Sequence, residues 1–355
     1  MNHRRIGYVA LMASALAASA VAPAIARSLG GPMELDDEGT FFVGGRVVHS
    51  EFPGAPAFGT AFAVSGGGPG SITIDQMFVH YRIPKAVSAP PIVMVHGSGH
   101  SGVTFETTPD GREGWATYFV RKGFPVYVVD HAGRGRSAFD PTAINRARAQ
   151  SDPKLIPDIP FPTHQRTWQS YHFGPTYPNF YPGSQFPAEA IDQYFAQVLP
   201  GSESTLVGEG ANTVKGLAAL LDRIGPAIVM VHSQSGAYGL DVVRQRTDKV
   251  RALIDVEGSC GPLSADDVAK HFAKVPMLAL WGDNTVGASG PNGDARRNDC
   301  IATIAAIRTS GGSARFLLLP EAGIKGNTHM MMMDRNNLQI ADMVISWLGD
   351  VGARK

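Results

Sequence analysis

Two rhythms of apolar positions divide the chain. Over 41–48 and again over 71–84, where Ile72, Ile74, Met77, Val79 and Tyr81 recur at near-alternate positions, the period is two, which predicts half-buried antiparallel strands at the start of the fold. From Pro91 the alternation gives way to unbroken apolar runs at 92–95, 126–129, 227–231, 252–256, 277–280 and 316–319. A strand reads this way when helices cover both faces of a parallel sheet, and the stretches between the runs are long enough for crossover helices. The pattern therefore predicts an α/β fold: a mostly parallel central sheet with antiparallel N-terminal strands and helices on both faces. In open sheets of this kind ligands bind outside the carboxyl ends of the strands, so the turns that follow the runs are where chemistry is sought.

Two segments fall outside that rhythm. Between Asp130 and the helix expected before Ala227, the stretch of about 138–205 is too long for one crossover and rich in proline and aromatics, among them Pro157, Phe161, Trp168, Tyr171, Phe173 and Tyr181. This content argues against disorder and for a cap inserted over the site. At the other extreme, Arg4 and Arg5 precede an uncharged stretch that ends in Ala24-Ile25-Ala26, the pattern of a signal peptide over 1–26 cleaved before Arg27. The mature protein, 27–355, is then expected in the periplasm or outside the cell, with no stable membrane insertion. The arginine pair leaves Sec and twin-arginine export both open.

Composition narrows the class. With 44% apolar and 17% charged residues the chain can bury a large core. Basic and acidic side chains balance at 31 each, so no overall field favours nucleic acid or an anionic membrane, and a small neutral molecule is the expected partner. Export makes the cysteines informative: Cys260 and Cys300 are the only two, and an oxidising compartment lets them pair.

The strongest chemical signal is the run from Ile228 to Gly239, in which a buried strand passes through His232-Ser233-Gln234-Ser235-Gly236-Ala237 into a helix-compatible stretch. A strand that turns sharply into a helix presents a serine at the tip only if the residues two before and two after it are small. Ser235 meets that condition through Ser233 and Ala237 and has Gly236 beside it, so Ser235 is the expected nucleophile and Ser233 its competitor. A serine needs a neighbouring base, and His329, in the loop after the last apolar run and before a terminal amphipathic stretch, is placed for it. Two acids are placed to orient His329. Glu257 ends the run after the elbow, and Asp283 follows Trp281-Gly282 one run later. An acid held between a buried strand and a disulfide needs a reason to be there, which favours Glu257, whereas Asp283 also reads as a turn residue. For the oxyanion, the backbone N–H groups of Gly236 and of Ser98, in His96-Gly97-Ser98-Gly99-His100, are the expected donors. No metal or other cofactor is expected. Met330 to Met333 read mainly as core.

These motifs together resemble the α/β-hydrolase superfamily over roughly residues 71–348. More narrowly, His232-Ser233-Gln234-Ser235-Gly236, Gly326-Asn327-Thr328-His329-Met330-Met331 and the Gly44-Gly45 pair of the opening strand resemble the secreted bacterial esterase 713-like family. The resemblance implies an exported carboxylesterase with a glutamate one strand after the elbow as the acid, which adds weight to Glu257. It implies no particular substrate. A lipase, a polyesterase or a non-catalytic binding protein on the same scaffold stand as alternatives; a dehalogenase would carry aspartate where the elbow has serine.

Overall fold

The computed structural model describes residues 31–54, 68–205, 208–288 and 292–354, so the expected signal segment lies outside the described residues. Two antiparallel strands, β1 (Leu35–Ser50) and β2 (Gly70–Pro84), open the chain, and β1 runs longer than the alternation over 41–48 foretold. The apolar runs become β3 (Ile92–Val95), β4 (Val126–Asp130), β5 (Ala227–His232), β6 (Val250–Val256), β7 (Met277–Trp281) and β8 (Ala314–Leu318). One sheet holds all eight, in the order β1-β2-β4-β3-β5-β6-β7-β8. The β1–β2 and β2–β4 pairs are antiparallel and every later pair is parallel.

The helices are α1 (Val103–Glu106), α2 (Trp115–Arg121), α3 (Thr142–Ala149), α4 (His164–Ser170), α5 (Ile191–Ala196), α6 (Glu209–Ile224), α7 (Ser235–Gln245), α8 (Ala265–Lys270), α9 (Asp294–Thr309) and α10 (Asn337–Asp350). Alternate residues of each parallel strand feed two separate cores, as the pleat requires. Ile92, Met94, Ile228, Met230 and Ile254 pack with Trp115 and Phe119 of α2 and with Ile340, Val344 and Leu348 of α10. Val93, Val95, Val229, Val231 and Leu253 pack with Leu217 and Leu221 of α6, Val243 of α7 and Ile304 of α9 on the opposite face.

The excursion at 138–205 carries α3 to α5 and is tied down by its aromatics: Trp168, Phe173, Phe186 and Tyr194 are buried, with ring centroids 4.6–5.5 Å apart in successive contacts. All four methionines from 330 to 333 are buried in the same core. Cys260, just after β6, and Cys300, on α9, form a disulfide.

Candidate active site

The junction of β5 and α7 is a sharp turn at the carboxyl edge of the sheet. β5 stops at His232 and α7 starts at Ser235, so Ser233 and Gln234 alone make the connection. Ser233 takes φ 55°, a left-handed conformation that a side chain of its kind adopts only under constraint, at a cost on the order of 1–3 kcal/mol. What enforces it is on both sides. The Ser233 N–H donates to the Val256 carbonyl of β6 at 3.1 Å, and the Ser233 carbonyl accepts from Gly236 N–H at 3.0 Å and Ser259 N–H at 3.3 Å. Ser233 thereby stands on the wall of a cavity of about 820 Å³.

The structure puts Ser235 elsewhere. It is the first residue of α7, fully buried, and its hydroxyl donates to the His96 carbonyl at 2.5 Å with His131 Nε2 at 2.7 Å. It does not line the cavity, and neither it nor Ser233 is hydrogen-bonded to His329. Ser235, the serine expected from sequence to react, is thus buried in a hydrogen-bonded cluster away from the cavity wall. Small neighbours at both spacings are met by Ser235, the first residue of α7, whereas the strained junction residue is Ser233.

The histidine and the acid are brought together as the sequence favoured. His329 Nδ1 lies 2.5 Å from Glu257 Oε2, and the other carboxylate oxygen, Oε1, accepts from Gly282 N–H at 2.7 Å. Glu257 directly follows β6, also at positive φ (47°). Asp283 is engaged otherwise, accepting from Gly326 N–H at 2.8 Å. The remaining ring nitrogen of His329, Nε2, is buried without a partner. The ring centroid is 4.6 Å from that of His232, the residue before Ser233, and His232 Nε2 meets the His329 carbonyl at 3.0 Å. The free Nε2 is thus held beside the junction, and in ligand-free enzymes such a serine–histidine bond commonly closes only when substrate binds.

Burial dominates the electrostatics. It lowers the His329 pKa well below the ordinary 6.5, with His172 and Arg296 adding to the effect, so the imidazole is neutral and able to take a proton. Burial likewise raises Glu257 to about 7, against the pull of His172, Gly282 N–H and Arg296.

Two backbone donors face the same space. The Gly97 carbonyl is held by Arg134 Nη1 at 3.1 Å and His96 Nδ1 at 2.8 Å, and in a trans peptide this fixes the Ser98 N–H on the opposite side. The bonds to the Ser233 carbonyl orient the Gln234 N–H in the same way. Both Ser98 and Gln234 line the cavity. The other donor expected from sequence, Gly236 N–H, is spent on the Ser233 carbonyl, and a Cβ at Gly236 would lie 2.2 Å from Ser259 N. Gly236 is thus engaged in packing, whereas Gln234 lines the cavity. A Cβ at Gly97 would come 2.8 Å from Ser233 Cβ, so glycine there lets the donor loop reach the serine.

Sequence reasoning missed two buttresses, because both act across long separations. Tyr171, from the excursion, donates its hydroxyl to the Ser98 carbonyl at 2.8 Å and packs its ring, tilted by 48°, 4.9 Å from that of His329. Asp334, fully buried, accepts from Thr328 N–H at 2.8 Å and from Asn327 Nδ2 at 2.9 Å, clamping the loop that carries His329.

A strained serine between strand and helix, a late histidine paired with a carboxylate and a parallel sheet carrying both define the class as an α/β-hydrolase. A bacterial esterase whose structure was solved at atomic resolution is 36% identical, with a TM-score of 0.83 over 91% of this chain and 98% of that one. The chain belongs to the family of that esterase within the α/β-hydrolase superfamily. A probable secreted lipase from Fungal sp. (strain ATCC 74256) is 28% identical over 340 residues, spanning 81% of this chain and 89% of that protein. No family model matches the chain. The protein is thus an esterase- or lipase-like hydrolase.

Proposed function

We propose that the protein is an exported serine carboxylesterase in which Ser233 is the nucleophile, His329 the base and Glu257 the acid. The observation that carries this reading is the strained, cavity-lining Ser233, whose chain neighbour His232 has its ring 4.6 Å from that of His329, a histidine whose buried Nε2 has no hydrogen-bond partner. Ser233 Oγ attacks the ester carbonyl carbon while its proton passes to His329 Nε2. The negative charge that develops on the carbonyl oxygen is met by the Ser98 and Gln234 N–H groups. Collapse expels the alcohol, which takes the proton from His329, and leaves an acyl group on Ser233. Water, deprotonated by His329, then attacks that acyl group and releases the carboxylic acid, so one ester and one water yield one acid and one alcohol. Glu257 holds the Nδ1–H tautomer and stabilises the imidazolium while it exists.

Export, with 27–355 as the mature enzyme, is supported by the leader pattern at 1–26, by the Cys260–Cys300 disulfide and by the secreted relative. The excursion at 138–205 supports a cap role, since it supplies Phe161, Thr167, Tyr171 and Leu199 to the cavity wall.

The test is hydrolysis of p-nitrophenyl butyrate by Ser233→Ala and Ser235→Ala. Ser233→Ala is expected to lose about 10⁴-fold or more in kcat, the scale of nucleophile removal in serine hydrolases. Turnover retained in Ser233→Ala and lost in Ser235→Ala would reverse the assignment.

A further inference from the structure

The cavity in front of Ser233 carries more positive charge than ester hydrolysis requires. Arg134, Arg166 and Arg296 line it, against a single carboxylate, Glu203. Arg134 is accounted for: buried, it pairs with Glu203 through Nε–Oε2 at 2.9 Å and holds the donor loop. The other two are not.

Arg296 sits in the first turn of α9, and its side-chain partner is a neutral one, Asn292 Oδ1 at 2.6 Å from Nη1. Among the described residues it forms no ion pair, although burial disfavours its charge, which Asp255, Glu257 and Tyr171 support without bonding to it. Its position is fixed, because the next turn of α9 carries Cys300 and the disulfide to Cys260 anchors that turn to the strand end bearing Glu257. Arg166, on α4 in the excursion, likewise forms no ion pair among the described residues. Beside it Thr167, 3% exposed, lines the cavity with a buried hydroxyl that has no partner.

Two guanidinium groups without an ion pair, Arg296 half-buried and Arg166 exposed, line the same cavity as the unsatisfied Thr167 hydroxyl and together form a donor set suited to an anion. Guanidinium matches a carboxylate through two parallel N–H···O bonds, and a site built to hydrogen-bond a group discriminates strongly against analogues that lack it. We infer that the cavity selects esters bearing a second, ionised carboxylate, held by Arg296, Arg166 and the Thr167 hydroxyl while Ser233 attacks the ester carbonyl. This inference rests on the proposed hydrolase reading and adds the substrate class to it. Half-esters of dicarboxylic acids and esters of carboxylate-bearing alcohols share this chemistry and differ in which side of the scissile bond faces the arginines.

The experiment compares kcat/KM for matched pairs. For an acyl-side carboxylate the pair is mono-p-nitrophenyl glutarate and p-nitrophenyl valerate; for an alcohol-side carboxylate it is 4-acetoxybutyrate and butyl acetate, followed by acid release. The anionic member of at least one pair is expected to be favoured tenfold or more. Arg296→Gln and Arg166→Gln are each expected to lower that anionic-to-neutral ratio at least tenfold, chiefly through KM. Equal loss on both members would assign Arg296 to supporting Glu257 and overturn the inference, as would a wild-type preference for the neutral ester in both pairs. Calorimetry of glutarate on Ser233→Ala separates the two readings: binding that is lost in Ser233→Ala/Arg296→Gln upholds the anion site even if no ester is turned over. Absence of glutarate binding alongside brisk hydrolysis of neutral esters sinks the anion site alone.

Discussion

Two serine–histidine clusters stand two residues apart on one strand-to-helix junction, and their surroundings differ in every respect that matters for chemistry. Ser233 occupies a strained conformation on a cavity wall, next in the chain to His232, whose ring lies 4.6 Å from that of His329, a histidine backed by a carboxylate and with a free Nε2. Ser235 occupies a relaxed helical position without access to the cavity. Its hydroxyl is committed to the His96 carbonyl, and no carboxylate hydrogen-bonds its histidine, His131, among the described residues. His96 and His131 stack at 3.8 Å, and the His131 N–H donates to His96 Nε2 at 3.1 Å. The second cluster is a brace: it ties the helix that starts at the elbow to the strand end from which the Gly97–Ser98 donor loop departs. Residue type and proximity are thus insufficient to define a catalytic pair. Access to substrate and support for the transient positive charge on histidine separate the two.

The comparison breaks most sharply at the acid. Glu257→Gln keeps the shape but favours the wrong histidine tautomer, and kcat is expected to fall about 10³–10⁴-fold, whereas Asp283→Asn, whose carboxylate only holds Gly326 N–H, should stay within about fivefold. Steady-state kinetics on p-nitrophenyl butyrate decides it, and the opposite ranking would move the acid to Asp283. Gly97→Ala comes next. The added methyl pushes the Ser98 donor away from Ser233, and loss of one oxyanion donor costs on the order of 10²–10³ in kcat. A variant of near wild-type rate would remove Ser98 from the oxyanion site.

Ser235→Ala tests the brace. It leaves the buried His96 carbonyl and His131 nitrogen without their partner, a cost of about 1–3 kcal/mol that should appear as a lower Tm with kcat reduced less than about tenfold. An unchanged Tm would show that the cluster braces nothing.

The smallest effect concerns pH. Because burial holds the His329 pKa below 6.5, the acid limb of kcat/KM is expected below pH 6.5 rather than at the value of a free histidine. Stability should follow the same groups. His96 (about 3), His100 (about 4), His131, His232 and His329 are all lowered in the fold, so they take up protons only on unfolding and their contribution is lost as pH falls below 6.5. Asp255, Glu257 and Asp334, raised to about 7, act with the opposite sign, their contribution fading as pH rises through 7. The histidines outnumber them, and a Tm lower at pH 5 than at pH 7 is expected from a thermal melt series. A Tm that rises on acidification would contradict it.

Much of this was legible in the sequence. Apolar runs mark the strands to within a residue or two because a parallel strand covered on both faces leaves no room for polar alternation. Glu257 could be favoured because it lies at a strand end, where a buried charge needs a purpose. The small-neighbour rule points to Ser235, and not to the proposed Ser233, because it constrains volume and is blind to where the strand stops. The signal that separates the two was present, since the apolar run ends at Val231 and the tip residue must follow the strand directly. Taking Ser233 instead also moves the oxyanion donor from Gly236 to Gln234. Tyr171 and Asp334 left no local mark, because their work consists of single hydrogen bonds made across the fold.

The central claim, that the strained elbow serine and not its helical neighbour is acylated, is tested most directly by labelling the enzyme with a fluorophosphonate and locating the adduct by peptide fragmentation. The adduct is expected on Ser233, with labelling absent in Ser233→Ala and retained in Ser235→Ala. An adduct on Ser235 would contradict the account.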